Sequence, residues 1–183
     1  MTVWVALLRG VNVGSAGRLP MAAFRAMLER LGARDVRSYI QSGNAVFRSA
    51  HTAPALEAEI AAGIAVEFGF RPSVLLRGVG EMADILAANP FAKAGADPKC
   101  VHIFFLTQPA AGADVAGLRA LAARGEVFHL TDAAFYLYAP EGIGRSALAA
   151  RAERLLAVPA TARNLRTAEA VAQMAQDLAV TEE

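Results

Sequence analysis

The segment Val3-Trp4-Val5-Ala6-Leu7-Leu8 runs directly into Arg9-Gly10-Val11-Asn12-Val13-Gly14. Six apolar residues in a row leave no polar face, so residues 3–8 read as a strand buried on both sides and central in a sheet. The glycine-punctuated stretch to Leu19 reads as a loop, and Pro20 sits where a helix can start. Phe24, Met27, Leu28 and Leu31 then recur at helical spacing, with Gly32 as the stop. Val36 to Gln41 and Ala45 to Arg48 read as two strands around a Ser42-Gly43-Asn44 turn. Pro54 opens a second helix with the stripe Leu56, Ile60, Ile64 and Phe68, and Ser73 to Arg77 is a further strand. The first 77 residues thus read strand, helix, strand, strand, helix, strand, the split βαβ order of a ferredoxin-like unit.

A short helix is expected from Val79 to Ala88, ended before Asn89-Pro90. The pattern then restarts. Val101 to Leu106 is a strand, and Val115, Leu118 and Leu121 mark a helix. Val127 to Leu130 and Phe135 to Tyr138 are strands around Thr131-Asp132, and Ser146 opens a helix with Leu148, Ala152, Leu155 and Leu156 inside. Ala160 to Leu165 is a last short strand, and Thr167 is expected to cap a final helix with Val171, Met174 and Leu178 inside. The fold class is therefore α+β: duplicated ferredoxin-like (βαββαβ) units, mainly antiparallel sheets covered by helices. The expected boundaries are residues 1–78 for the first half and 79–98 for a helix and connecting loop. Residues 99–183 form the second half with its C-terminal helix, and the halves are expected to pack together.

Composition narrows the function classes. The 183 residues are 55% hydrophobic and 19% charged, which excludes a disordered chain. A chain of this length buries roughly 70% of its unfolded surface and needs no disulfide or metal to fold. The net charge of +1 gives no global pull toward nucleic acid or an anionic membrane, and argues against binding long duplex DNA. Arginine dominates the basic residues, with lysine only at Lys93 and Lys99. With abundant alanine this reads as a GC-rich bacterial genome, so arginine content alone is not a binding signal. The single cysteine, Cys100, forbids an internal disulfide and fits a reducing compartment. His51, His102 and His129 are far apart with no metal-ligand spacing, so no metal and no cofactor are expected. No apolar run approaches ~18 residues, and the N-terminal run is too short for a signal segment. A cytoplasmic protein without membrane contact is expected.

Two polar stretches are candidate chemistry. Arg9, Gly10, Asn12 and Gly14 join a strand to a helix, where glycine N–H groups and an arginine fork suit an anion. The stretch, which runs on through Ser15, Ala16 and Gly17 to Arg18, lacks the Gly-Lys-Ser/Thr of a P-loop and the Gly-x-Gly-x-x-Gly of a dinucleotide site. Its alternative reading is a plain loop needing positive φ at Gly10 and Gly14. Gln41, Ser42, Gly43 and Asn44 gather hydrogen-bonding groups at one hairpin, or else only satisfy its turn. In a split βαβ unit the first two strands are parallel with the third between them, so their ends meet at one sheet edge. Both stretches, and Arg71 ahead of the fourth strand, should therefore be neighbours. The cluster is a donor-rich cradle for phosphate, carboxylate or a base edge. It contains no histidine or carboxylate to act as a base.

Secondary candidates are Asn89, then Gly144, Arg145 and Ser146 in a glycine loop entering a helix, then Arg163 and Asn164 with Thr161 after an apolar helix. Asp132 reads as a solvated turn, and His102 and His129 as core or interface residues. Cys100 reads as a packed thiol, and Tyr136 and Tyr138 as packing rather than base-stacking aromatics, because the RRM motifs are absent.

Arg9-Gly10-Val11-Asn12-Val13-Gly14, Ser38-Tyr39-Ile40-Gln41-Ser42-Gly43-Asn44, Asn89-Pro90-Phe91, Gly142-Ile143-Gly144-Arg145-Ser146 and Thr161-Ala162-Arg163-Asn164 together resemble the bacterial domain-of-unknown-function family 1697 (DUF1697) over nearly the whole chain. The resemblance implies a compact α+β fold of ferredoxin-like repeats and no established activity. The chain departs from the family at Ala147, where lysine is usual, and at Leu165, where tryptophan is usual. If that lysine serves a ligand, Arg145 must replace it or the role is absent. The leading expectation is a binding domain for a phosphorylated small molecule, a nucleotide or a nucleic-acid end. An enzyme using the same polar cluster, or a protein-interaction module acting through sheet edges, are the alternatives. The sequence leaves the oligomeric state open.

Overall fold

The structure is a computed structural model that describes residues 1–14 and 17–181. Ser15 and Ala16 of the first candidate loop lie outside the described residues. The chain divides into two compact units, one formed by Met1–Asp84 with Ala170–Glu183 and the other by Ile85–Glu169.

In the first unit, β1 (Thr2–Arg9) is followed by α1 (Met21–Arg30), β2 (Arg34–Tyr39), β3 (Asn44–Ser49), α2 (Ala53–Phe68) and β4 (Ser73–Gly78). The sheet order is β2-β3-β1-β4, and every neighbouring pair is antiparallel. This is the ferredoxin-like arrangement, and β1 is central because its apolar residues are buried on both faces. One face, with Ala6, Leu8, Phe47 and Leu76, packs with Phe24, Met27 and Leu28 of α1 and Leu56, Ile60 and Ile64 of α2. On the opposite face Val3, Val5, Leu7 and Val46 are also buried. Gly69 ends α2 in the left-handed conformation that glycine adopts without strain (φ 78°).

The second unit repeats the order. After α3 (Val79–Ala87) and α4 (Pro90–Lys93) come β5 (Val101–Leu106), α5 (Val115–Leu121), β6 (Val127–Leu130), β7 (Ala134–Tyr138), α6 (Ala147–Leu156) and β8 (Ala160–Asn164). Its sheet order, β6-β7-β5-β8, reproduces the first. Phe104, Leu106, Phe135 and Leu137 pack against Leu118 of α5 and Leu148, Ala152 and Leu156 of α6. Phe135 lies edge-on to Phe104, with ring centroids 5.5 Å apart. No helix among the described residues is long and apolar enough to cross a membrane.

Several local expectations change. Strand β2 starts at Arg34 rather than Val36, and a register shift separates Arg34 from Arg37. Asn89-Pro90-Phe91 is not simply a loop: Asn89 accepts a hydrogen bond from Phe91 N (3.0 Å) and caps the turn of helix α4, with Pro90 at its first position. Within the glycine loop, Ile143–Arg145 forms a 3-10 turn. The last helix, α7 (Leu165–Val180), starts three residues earlier than expected because Asn164, not Thr167, supplies the cap: its Oδ1 accepts from Thr167 N at 2.8 Å. The C-terminal helix was assigned with the second half, but from Ala170 onward it belongs to the first unit. There Arg48 donates to the carbonyl of Leu178. His129 is exposed rather than in the core; its ring stacks on Tyr136, centroids 6.1 Å apart.

Candidate functional site

The site is built at one end of the first sheet. Antiparallel registry places Leu7 opposite Asn44 and Arg9 opposite Ser73, so the loops after β1 and β2 lie together there. Leu8 N donates to Gly43 O at 2.8 Å. Gly43 has φ 75°, and a Cβ there would collide with Val11 Cγ2 and Leu8 Cβ, so the loops meet at a position closed to any side chain.

Asn12 fastens the two loops. Its backbone is left-handed (φ 54°), a conformation that asparagine tolerates. Its Oδ1 accepts from Leu19 N (2.7 Å), while Nδ2 donates to Leu19 O and to Gln41 O, both at 2.8 Å. The side-chain amide thus mimics a peptide, closing its own loop and tying it to the β2–β3 hairpin. Asn44 does the same inside the hairpin: it is fully buried, and its Nδ2 donates to Tyr39 O (3.0 Å) and Ser42 Oγ (2.9 Å). Gly10 and Gly14 have the positive φ expected of them (68° and 56°).

The cradle residues therefore do meet, but Asn12 is engaged with backbone, and Asn44 with Ser42 and backbone. Arg9, Gly10, Gly14 and the Gln41 side chain are exposed. Beside them opens a groove of about 520 Å³, lined by Asn12, Arg18, Leu19, Pro20, Met21, Ala22, Arg25 and Gln41. Arg25 is steadied by donating from Nη1 to Ser38 Oγ (2.6 Å). Helix α1 starts at this groove with Pro20 as its N-cap and no side chain capping its first N–H groups. A helix start of this kind presents N–H donors and a partial positive charge. The lining includes two guanidinium groups and no carboxylate. Arg18 closes the candidate stretch read from the sequence, whereas Arg25 is not marked there; the available signal is Pro20, a helix start facing the candidate loop.

The secondary candidates all belong to the second unit. Asn89, Ser146 and Asn164 are caps: Ser146 Oγ accepts from Ala149 N at 2.9 Å and so starts α6. Gly144 and Arg145 are exposed. Arg163 is buried and donates to Ala162 O (2.8 Å); burial pulls its pKa down to about 10, so it stays protonated at neutral pH. His102 is also buried, which lowers its pKa, partly opposed by a hydrogen bond with the Cys100 backbone. Burial raises the pKa of the Tyr136 hydroxyl, with a bond to Thr131 opposing; that hydroxyl donates to Ile85 O at 2.7 Å.

Comparison with known proteins agrees with this architecture. No curated protein matches the chain. Among solved structures, the conserved bacterial protein SP0830 from Streptococcus pneumoniae is similar, with a TM-score of 0.71 and 29% identity. The likeness covers 95% of this chain and 98% of that one. The model of a family described as a protein of unknown function, DUF1697, matches residues 1–136. With two ferredoxin-like sheets and this match over most of its length, the chain belongs to the DUF1697 family.

Proposed function

We propose that the first unit is a binding domain for a phosphorylated small molecule, a nucleotide or a nucleic-acid end, held in the groove at the start of α1. The observation that supports the reading is the lining itself: Arg18, Arg25 and the Gln41 side chain around about 520 Å³, with no acidic group. Guanidinium forks and helix N–H donors are the groups that bind phosphate oxygens. The volume falls in the range of small-molecule sites, ample for a mononucleotide. Asn12 shapes the groove by fixing the loop and the hairpin, while Arg9 flanks it and contributes long-range charge. Among the described residues the lining has no histidine, carboxylate, thiol or lysine to take a proton from a substrate, which favours binding over catalysis.

A thermal-shift screen of the whole chain against nucleoside monophosphates, sugar phosphates and a 5′-phosphorylated oligonucleotide tests the reading. A ligand at 100 times its dissociation constant stabilises by about 2.7 kcal/mol, several degrees for a chain this size. The expected result is a shift that disappears in Arg18→Ala/Arg25→Ala and survives in Arg119→Ala. A screen in which no phosphorylated compound shifts the transition sinks the proposal.

A further inference from the structure

A second cluster of arginines lies at the other end of β2, and it owes its existence to a β-bulge. Arg34 stands opposite Arg48, and Arg37 stands opposite Val46. Arg48 and Val46 are two positions apart, but Arg34 and Arg37 are three positions apart. In a regular strand, residues three apart point to opposite faces. The extra residue in β2 restores the alternation, so Arg34, Arg37 and Arg48 all emerge on one face. Asp35 within the bulge has φ 53°, a left-handed conformation.

These side chains surround a pocket of about 220 Å³, completed by Met1, Asp35, Leu178 and Thr181. Arg48 is its floor: it is 5% exposed, pairs through Nε with Asp35 Oδ2 at 3.2 Å, and donates to Leu178 O at the end of α7. Arg34 and Arg37 are exposed at the rim. Among the described residues the lining thus sets three guanidinium groups against one carboxylate. Like charges directly opposite on adjacent strands are destabilising, yet here Arg34 faces Arg48 and the bulge brings Arg37 to join them. Bulges characteristically re-aim a side chain, and this one concentrates positive charge around a cavity of oxyanion size.

We infer that this pocket is an oxyanion site, taking a phosphate or sulfate group between Arg34, Arg37 and Arg48, distinct from the groove at α1. The bound anion relieves the repulsion across β2 and β3, with Asp35 as its internal competitor for Arg48. The site is independent of the reading given to the groove.

The test is a titration of the whole chain with inorganic phosphate at constant ionic strength. Thermal stability is followed together with the arginine Nε–Hε resonances. The expected result is a saturable rise in transition temperature beyond that given by chloride, with the Arg37 and Arg48 resonances moving. Arg34→Ala/Arg37→Ala should raise the transition temperature without phosphate and abolish the phosphate-induced shift of the Arg48 resonance, whereas Arg18→Ala/Arg25→Ala should leave the Arg37 and Arg48 shifts unchanged. Asp35→Asn keeps a residue suited to positive φ while removing the competing charge, and should tighten phosphate binding several-fold. Resonances of Arg37 and Arg48 that do not move with phosphate would overturn the inference. So would phosphate affinity that Asp35→Asn leaves unchanged.

Discussion

Asn12 makes three hydrogen bonds to backbone beside the groove, and its removal is the sharpest residue-scale test of its role. Asn12→Ala leaves Leu19 N, Leu19 O and Gln41 O without their partner. At about 1 kcal/mol for each bond lost, the expected destabilisation is roughly 2–3 kcal/mol, measured by urea unfolding. Asn12→Asp keeps the acceptor for Leu19 N but turns a carboxylate oxygen toward the carbonyls of Leu19 and Gln41, so it should be destabilised at least as much as Asn12→Ala. Gly43→Ala should be worse than its size suggests, because the new Cβ strikes Val11 and Leu8 and the backbone is left-handed. By contrast Arg18 and Arg25 are on the groove rather than in a core, so their substitution should alter ligand response with little change in stability. The polar residues therefore divide into those that fold the loop pair and those that line the groove.

At the scale of elements, the recurring polar residues of the second unit are helix caps. Ser146→Ala and Asn164→Ala should each cost about 1 kcal/mol, read as a lower urea midpoint at unchanged slope, with Asn164→Ser largely tolerated. Much of the element order was legible: apolar runs gave the strands, and spacings at Phe24, Met27 and Leu28 or Leu148 and Ala152 gave the helices. The sheet-edge argument placed Asn12 beside Gln41, and the two are joined by a hydrogen bond of 2.8 Å. What stayed hidden was the partner of each side chain. An asparagine that caps a helix and one that binds phosphate have the same letter, and only the third dimension shows that the Asn44 amide is spent inside the hairpin. The bulge at Asp35 was equally invisible, since one extra residue changes neither composition nor alternation enough to mark a register shift. That residue is why Arg34 and Arg37 share a face.

For the molecule as a whole, the duplicated fold provides stability that should depend on pH through His102. Its imidazole is buried, and burial pulls its pKa in the folded protein below the ordinary 6.5 of histidine. A base with a depressed folded pKa favours folding when neutral, so its contribution is present above pH 6.5 and is lost as pH falls through the folded pKa. Unfolding free energy measured from pH 7.5 down to 5 should therefore decline less steeply in His102→Gln than in wild type. A near-neutral net charge also means that any anion recognition must come from local clusters such as the α1 groove. The most direct measurement of that recognition is an ¹⁵N–¹H titration of the intact protein with a nucleoside monophosphate. Saturable shifts centred on the amides of Met21 and Ala22 and the side chains of Arg18, Arg25 and Gln41 are predicted, and should be lost in Arg18→Ala/Arg25→Ala. Resonances at the start of α1 that stay still, while the protein binds the nucleotide elsewhere or not at all, would contradict the account.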